Sequence, residues 1–367
     1  MRAAVRGACR YCRILRKKAE TVITIGELGE FGLIAAITEA MAAVAGQLGD
    51  RGADSPLLVG AGDDAAVLRT ADMRVVATTD MLIEGRHFRR DWSSAADIGH
   101  KAAARNLADV AAMGAVPTAL LVGFAGPGHL AVEWVTDLAA GIAAECAAVG
   151  AVVAGGDTSS ADTVLLAVTA LGNLDGRDPV RRNGARPGDV VAVAGTLGSA
   201  AAGLDLLTAG ISRDRSGVAD LAGLVRAHRR PGPPYSAGPQ AAALGATSLI
   251  DVSDGLVADL GHVALASGVR IELASRRVAA EPIARVGALK QAAKLLGRAD
   301  WIRWVLTGGD DHALVATFPA GVVLPAVWTT VGFVAKGHGV AVDGEIWEGA
   351  GGWDHFGAVA RGPSLDA

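Results

Sequence analysis

Asp189-Val190-Val191-Ala192-Val193-Ala194 runs into Gly195-Thr196-Leu197-Gly198-Ser199 and then into Ala200-Ala201-Ala202-Gly203-Leu204-Asp205-Leu206-Leu207. The first block, rich in valine, reads as a strand. The glycines supply a tight turn, and Ala200–Leu207 starts a helix. Backbone N–H groups at such a helix start favour anions, so the turn is a candidate phosphate cradle, with an ordinary N-cap as the alternative. Upstream, Asn173–Pro187 is rich in Gly, Pro, Asp and Arg and reads as a linker that closes a first domain near residue 172. Before it, Gly26–Gly46 has an amphipathic helical pattern. Leu57–Val59, Ala66–Leu68 and Val75–Thr79 read as short strands. Ser93–Met113 is a long helix capped by Ser93 or Ser94, Ala119–Phe124 a strand, and Val132–Val149 a helix stopped by Gly150. Ala151–Ala154 and Thr163–Leu171 complete the first half as strands. Downstream, Ser248–Ile250, Val269–Leu273, Ala313–Phe318 and Val331–Val334 read as strands. Helices alternate with strands, which places the chain in the α/β or mixed α+β class.

The chain has 367 residues, enough for about two domains. Hydrophobic residues at 51% against 20% charged supply a sizeable core and argue against wholesale disorder. A net charge of −4 excludes the broad basic surface of a nucleic-acid binder. Cys9, Cys12 and Cys146 are too few, and odd in number, for a disulfide framework, so a reducing cytoplasm is the simpler setting. The Cys9/Cys12 pair stands alone in a leader carrying Arg2, Arg6, Arg10, Arg13, Arg16, Lys17 and Lys18. That leader lacks an apolar core, so it is no secretory signal. Residues 1–23 read as a disordered extension or as a start placed too far upstream, followed by domains over 24–172 and 173–367. Val110–Gly128 is uncharged but broken by Gly114, Pro117, Gly123, Gly126 and Pro127, and so is not a membrane span.

Chemistry is carried by acidic residues in Gly- or Thr-rich segments. These are Gly62-Asp63-Asp64, Thr78-Thr79-Asp80, Asn106-Leu107-Ala108-Asp109, Gly155-Gly156-Asp157-Thr158, Asp251-Val252-Ser253-Asp254-Gly255 and Gly308-Gly309-Asp310-Asp311. Any one alone is explained by an ordinary turn. Together, five are expected to follow apolar strands and one to lie in a helix, and solvated turns do not need an acid at every strand end. Carboxylates with threonine oxygens suit Mg²⁺, which takes hard oxygen ligands and shares them with substrate phosphates. Gly60-Ala61-Gly62-Asp63-Asp64-Ala65 imitates a dinucleotide fingerprint, but Thr70-Ala71-Asp72 turns the chain where a helix would have to follow. No Gly-Lys dipeptide occurs, which excludes a Walker loop, and the protein-kinase signatures are absent. Arg181-Arg182 in the linker either reaches a nucleotide phosphate or stays solvated.

Read with Gly29-Glu30-Phe31-Gly32-Leu33-Ile34, His87, Asn106 to Gly114 and Gly352-Trp353-Asp354-His355-Phe356, these motifs stand in an order that resembles the thiamine-monophosphate kinase family. That family lies within the aminoimidazole ribonucleotide synthetase superfamily, and the match runs from about Ile25 to about Phe356. The resemblance implies two α/β domains, with an N-terminal ATP- and Mg-binding domain whose sheet pairs with that of a second subunit in a homodimer. It also implies an active site in a cleft between domains. The implied reaction is ATP plus thiamine monophosphate giving ADP plus thiamine diphosphate, assisted by several Mg²⁺ ions. By position, Asp64, Thr78, Thr79, Asp80, Asp109, Asp157, Asp251 and Asp254 match metal ligands, with Asp80, Asp157 and Asp251 central to catalysis. Gly156, Asp157, Arg182 and Ser253 match ATP contacts, and His87, Asp310 and Trp353 match thiamine-phosphate contacts. Three departures stand out: Asp310 where the family commonly has Glu, Pro234 in place of an Arg after His228-Arg229-Arg230-Pro231, and the basic leader.

The implied nucleophile is a phosphate oxygen, already mostly dianionic at neutral pH, so no general base is needed and none is evident. The obstacle is repulsion between two polyanions, which cations would relieve in a direct transfer without a phosphoenzyme. Alternatives are a related ATP-dependent synthetase or a non-catalytic Mg-nucleotide-binding dimer. A selenophosphate synthetase would need a reactive Cys in a setting that Cys9 and Cys12 lack. A hydrogenase-maturation relative would end in a Cys-bearing tail, whereas this sequence ends Pro363-Ser364-Leu365-Asp366-Ala367.

Overall fold

The computed structural model describes residues 22–48, 55–59, 65–211, 219–349 and 351–353. Asp64 with its glycine loop, the basic leader with Cys9 and Cys12, and Asp354-His355-Phe356 lie outside the described residues. The chain divides into two compact units. The first takes Met1–Thr70, Thr79–Ala103 and Thr118–Leu171, and the second takes Ala71–Thr78, Ala104–Pro117 and Gly172–Ala367.

In chain order the first strands are β1 (Leu57–Val59), β2 (Val67–Leu68), β3 (Val76–Ile83), β4 (Val116–Gly126), β5 (Val152–Ser160) and β6 (Leu165–Asn173). β1 and β2 form an antiparallel ribbon, so a strand and not a helix follows the glycine loop. The other four make a sheet in the order β3-β6-β4-β5, with β4 parallel to β5. Helices Ala95–Ala112 and Val132–Val149 pack on each other so closely that a Cβ on Gly99 would collide with the Leu138 carbonyl, and one on Gly141 with that of Ala96. The 95–112 helix starts at Ser94. Its hydroxyl accepts the Asp97 N–H at 3.2 Å, and the Asp97 carboxylate accepts the Ser94 N–H at 3.4 Å. Gly150, at φ 83°, stops the second helix as expected.

Alternate residues of the sheet face opposite ways. Leu82, Leu166, Val168 and Ala170 are fully buried. On the other face Thr79 and Thr169 share a hydrogen bond at 3.1 Å, and Met81 and Leu121 stand 49% and 37% exposed.

The second unit holds β7 (Val190–Ala194), β8 (Ser248–Val252), β9 (Arg270–Leu273), β10 (Ala313–Phe318), β11 (Trp328–Ala335), β12 (Gly339–Val342) and β13 (Glu345–Ile346). They form one sheet in the order β13-β12-β9-β11-β7-β10-β8. β12 lies parallel to β9, and the remaining pairings are antiparallel. The quoted strand, β7, sits between β10 and β11, which explains its unbroken apolar run. Ala192, Ala194, Leu249, Leu314, Phe318 and Trp328 form a core with Ala111 and Val180, and Phe318 meets Trp328 edge-on at 5.2 Å. Among the described residues no helix is long and apolar enough to cross a membrane.

Two expectations change. The helix expected over Gly26–Gly46 is two helices, Ile25–Leu28 and Glu30–Leu48, separated by Gly29 at φ 75°. Strands expected to end before their acids run through them: Asp80 lies inside β3, Asp157 inside β5 and Asp251 inside β8. Ladder pairing continues past the apolar residues, with Asp157 opposite Gly123 and Asp251 opposite Leu314.

Gly99→Ala forces the two helices apart. It is expected to lower the unfolding free energy by roughly 1–3 kcal/mol in urea titration, whereas Gly261→Ala, where a Cβ meets open space, is expected to leave it unchanged or raise it.

Candidate active site

Two loops of the second unit lie side by side. One is Ser253-Asp254-Gly255, which leaves β8. The other is Gly308 to His312, which was expected to follow a strand but follows the Ile302–Thr307 helix and enters β10. The Asp310 N–H donates to the Ser253 carbonyl at 2.9 Å, and the His312 N–H to that of Val252 at 3.0 Å. A Cβ on Gly309 would strike the Ser253 carbonyl oxygen, so only glycine allows this approach. Asp310 and His312 take left-handed backbone, at φ 68° and 52°. Asp254 and Gly255 donate their N–H groups to the Asp259 carboxylate at 3.2 and 3.1 Å. Burial, followed by the charge of Asp251, pushes Asp259 up to about 8. The Trp353 N–H donates to the Asp254 carbonyl at 3.0 Å and brings a half-exposed indole to the same loop. Asp251, Ser253, Asp254, Asp310 and Trp353 are therefore gathered by one pair of loops.

Basic side chains stand beside these acids. Arg105 Nη1 lies 3.0 Å from Asp310 Oδ1, and His228 Nδ1 is 4.0 Å from its Oδ2. Buried His312 places Nδ1 at 3.1 Å from Asp251 Oδ2. Arg105 lies four residues before Asp109 on the 95–112 helix, so the two share a face. Asp109 Oδ2 accepts the Thr78 hydroxyl at 2.9 Å. Arg105 and His312 were not singled out from the sequence, although Arg105 directly precedes the Asn106 motif at the helical spacing from Asp109 that would have flagged it.

The expected phosphate cradle at Gly195–Ser199 is filled from within. Asp311, buried beneath the loop, accepts the N–H of Gly198 at 2.6 Å and of Ala200 at 2.9 Å, at the start of the Ser199–Thr208 helix. An internal carboxylate thus occupies the anion position, and the cap comes from a distant loop and not from the N-cap residue Gly198, so the helix start is neither an open phosphate cradle nor an ordinary N-cap. Burial pushes Asp311 up to about 7 against the opposing pull of those two N–H groups.

Other expected site residues stand apart. Arg182 is exposed in a 3-10 turn, and its carbonyl accepts the Ser267 hydroxyl at 3.0 Å. Ser267 ends the Leu256–Ser267 helix whose other end carries the Asp254 loop, so 12 residues, about 18 Å of helix, separate Arg182 from Ser253. In the first unit, Asp80 and Asp157 lie on the two edge strands of the sheet, about 14 Å apart by strand spacing. Thr78, Asp80 and Leu82 share the helix-facing side of β3, whereas Asp157 is in the row of Leu121, Gly123 and Gly155 on the open face. Gly156 is exposed, and a Cβ there would strike the Val122 carbonyl. His87 accepts the Ile83 N–H on Nδ1 at 3.0 Å, which leaves Nε2 as the protonated, donating nitrogen of the neutral ring. Thr79 donates its hydroxyl to the Val168 carbonyl at 3.0 Å.

Among the described residues no three His, Cys, Asp or Glu side chains form a group that would hold a metal ion. The expected donors are nonetheless all oxygens, from carboxylates and hydroxyls. That chemistry fits Mg²⁺, which is commonly held by one or two carboxylates together with substrate phosphates and water.

The family profile of the AIR synthase related protein N-terminal domain matches residues 62–174. A thiamine-monophosphate kinase of Mycobacterium tuberculosis is 48% identical over 310 residues, covering 84% of this chain and 89% of that protein. The crystal structure of thiamine-monophosphate kinase from Stenotrophomonas maltophilia superposes with a TM-score of 0.72 at 35% identity, over 85% of this chain and 97% of that one. The chain called AaThiL, complexed with AMPPCP and TMP, gives 0.71 at 32% identity, over 92% and 100%.

Because the folded value of Asp311 is raised, its stabilising contribution is complete below the ordinary value of 3.8 and is lost as pH rises through about 7. Urea midpoints measured from pH 4 to 8 are expected to fall more steeply in the parent protein than in Asp311→Asn, whose side chain does not ionise.

Proposed function

The chain belongs to the thiamine-monophosphate kinase family, and from this we propose that it transfers the γ-phosphoryl group of ATP to thiamine monophosphate, giving ADP and thiamine diphosphate. The observation that carries this reading is the meeting of Ser253, Asp254 and Asp310 on two abutting loops, with Asp251 in the strand that leads into one of them and Trp353 bonded to its backbone. A relative solved with AMPPCP, an ATP analogue, and TMP supports the choice of ligands.

In the proposed step an oxygen of the acceptor phosphate forms a bond to the γ-phosphorus in line with the bond to the β,γ-bridging oxygen. That bond breaks, and ADP leaves with its electron pair. The acceptor oxygen needs no base, since the second phosphate ionisation lies near ~6. Bound Mg²⁺ would neutralise phosphate charge and stabilise the transferring group. Asp64, Thr78, Thr79, Asp80, Asp109, Asp157, Asp251 and Asp254 are the residues proposed to hold the ions. Asp80 and Asp157, on opposite sheet faces, serve separate ions or phosphates. Gly156 lets nucleotide phosphate approach bare backbone, Ser253 offers a hydroxyl, and Arg182 meets the nucleotide away from the Asp254 loop. His87 donates from Nε2 to the acceptor phosphate. The Trp353 indole stacks on the cationic thiazolium. Asp310, shorter than Glu and already paired with Arg105, makes a short or water-mediated acceptor contact.

The open sheet face with exposed Met81 and Leu121 is proposed to pair with a second copy in a homodimer. We place the enzyme in the cytoplasm, where ATP is supplied.

ADP release measured over a panel of phosphorylated acceptors is expected to depend on thiamine monophosphate. Asp80→Asn and Asp157→Asn are each expected to lower kcat/KM by ~10²-fold or more with unchanged circular dichroism and urea midpoint. Parent-level turnover in either variant would overturn the metal assignment.

A further inference from the structure

We propose that Arg105 is a positioning residue that holds the Asp310 carboxylate in place for the acceptor and ties it to the helix that carries Asp109. The proposal rests on the functional reading above for the role of Asp310. Arg105 and Asp109 stand on the Ala95–Ala112 helix, and both belong to the second unit with Asp310. Four residues of helix rise by about 6 Å, so the two side chains leave one face about a turn apart. Asp109 Oδ2 is tied to the Thr78 hydroxyl at 2.9 Å. Arg105 Nη1 donates to Asp310 Oδ1 at 3.0 Å, across 205 positions of sequence. The Arg105 side chain is 13% exposed and that of Asp310 26%. The acid thus keeps an accessible side, while its partner is largely enclosed and comes from a regular helix. Asp310 itself holds left-handed backbone at φ 68°, pinned by its N–H bond to the Ser253 carbonyl at 2.9 Å. That bond fixes where the side chain starts, and the Arg105 contact fixes where it ends. A guanidinium stays charged throughout the working pH range, so the restraint does not depend on a proton. Freely exposed ion pairs hold little geometry because water and side-chain entropy compete, and enclosure of the guanidinium limits both.

The test reads the two substrates separately. Steady-state ADP release by the full chain gives KM for thiamine monophosphate and KM for ATP, and a urea midpoint is measured for each variant. Arg105→Gln is expected to raise KM for thiamine monophosphate about tenfold, the weight of a charge-assisted contact, and to leave KM for ATP within about twofold. Arg105→Lys, which returns a cation without the planar fork, is expected to raise it about threefold. Asp310→Asn suits the left-handed backbone and removes the charge, and is expected to raise KM for thiamine monophosphate about tenfold or more. Because Arg105 acts through Asp310, adding either Arg105 change to Asp310→Asn is expected to raise that KM by no more than about twofold further. Effects that multiply in the double variants, an equal rise in KM for ATP, or parent-level constants in the folded Arg105 variants each refute the proposal. So do losses that merely follow the urea midpoints. Where Arg105→Gln does not fold, Arg105→Lys, alone and with Asp310→Asn, decides the matter. A parent protein whose ADP release does not depend on thiamine monophosphate refutes the functional reading and the proposal with it. A parent that turns over while the effects multiply refutes the proposal alone.

Discussion

Two backbone hydrogen bonds and one buried carboxylate hold the Gly308–His312 loop in a shape its own residues do not favour. Left-handed backbone at two non-glycine positions costs of order 1–3 kcal/mol each, and it persists only where surrounding contacts fix it. Here the Ser253 and Val252 carbonyls take the Asp310 and His312 N–H groups, while Asp311 between them is anchored in the first turn of the 199–208 helix. The side chains of this loop therefore differ in duty: Asp311 turns inward as a cap, Asp310 turns to Arg105, and His312 turns to Asp251. Without the clamp, the position of Asp310 against Arg105 would be one of many.

The same region crowds carboxylates together in a place proposed to receive phosphates. The structure limits the resulting repulsion in two ways. The Arg105 guanidinium stands against Asp310, and the His312 ring lies against Asp251 at hydrogen-bond distance. Asp259, pushed up to about 8 by burial, is largely uncharged at neutral pH while still accepting two backbone N–H groups at the foot of the Asp254 loop. Charge is thus retained where a cation would be useful and suppressed where it would only destabilise.

Much of this was legible in the sequence. The β7 strand, the Gly150 stop and the Ser94 cap followed from local chemistry that tertiary packing did not override. Strand ends were misjudged because hydrophobic pattern fades at an acid, whereas ladder pairing does not: Asp80, Asp157 and Asp251 keep strand geometry through backbone bonds that no side chain announces. The helix expected over Gly26–Gly46 broke because Gly29 carries positive φ, which apolar periodicity cannot register. Asp311 was hidden by its neighbour, since a Gly-Gly-Asp-Asp run does not show which acid points inward. The contacts of Asp310 with Arg105 and His228 join residues 205 and 82 positions away, a distance only the fold closes.

The left-handed backbone at 310 also bears on how this sequence can drift. Asp and Asn tolerate that conformation far better than longer side chains do. Glu, Asn and Gly are among the residues that a single base change in an Asp codon yields. Glu would lengthen the acid but strain the chain; Asn and Gly would suit the chain but remove the charge. Backbone shape and side-chain charge thus both favour aspartate at this position.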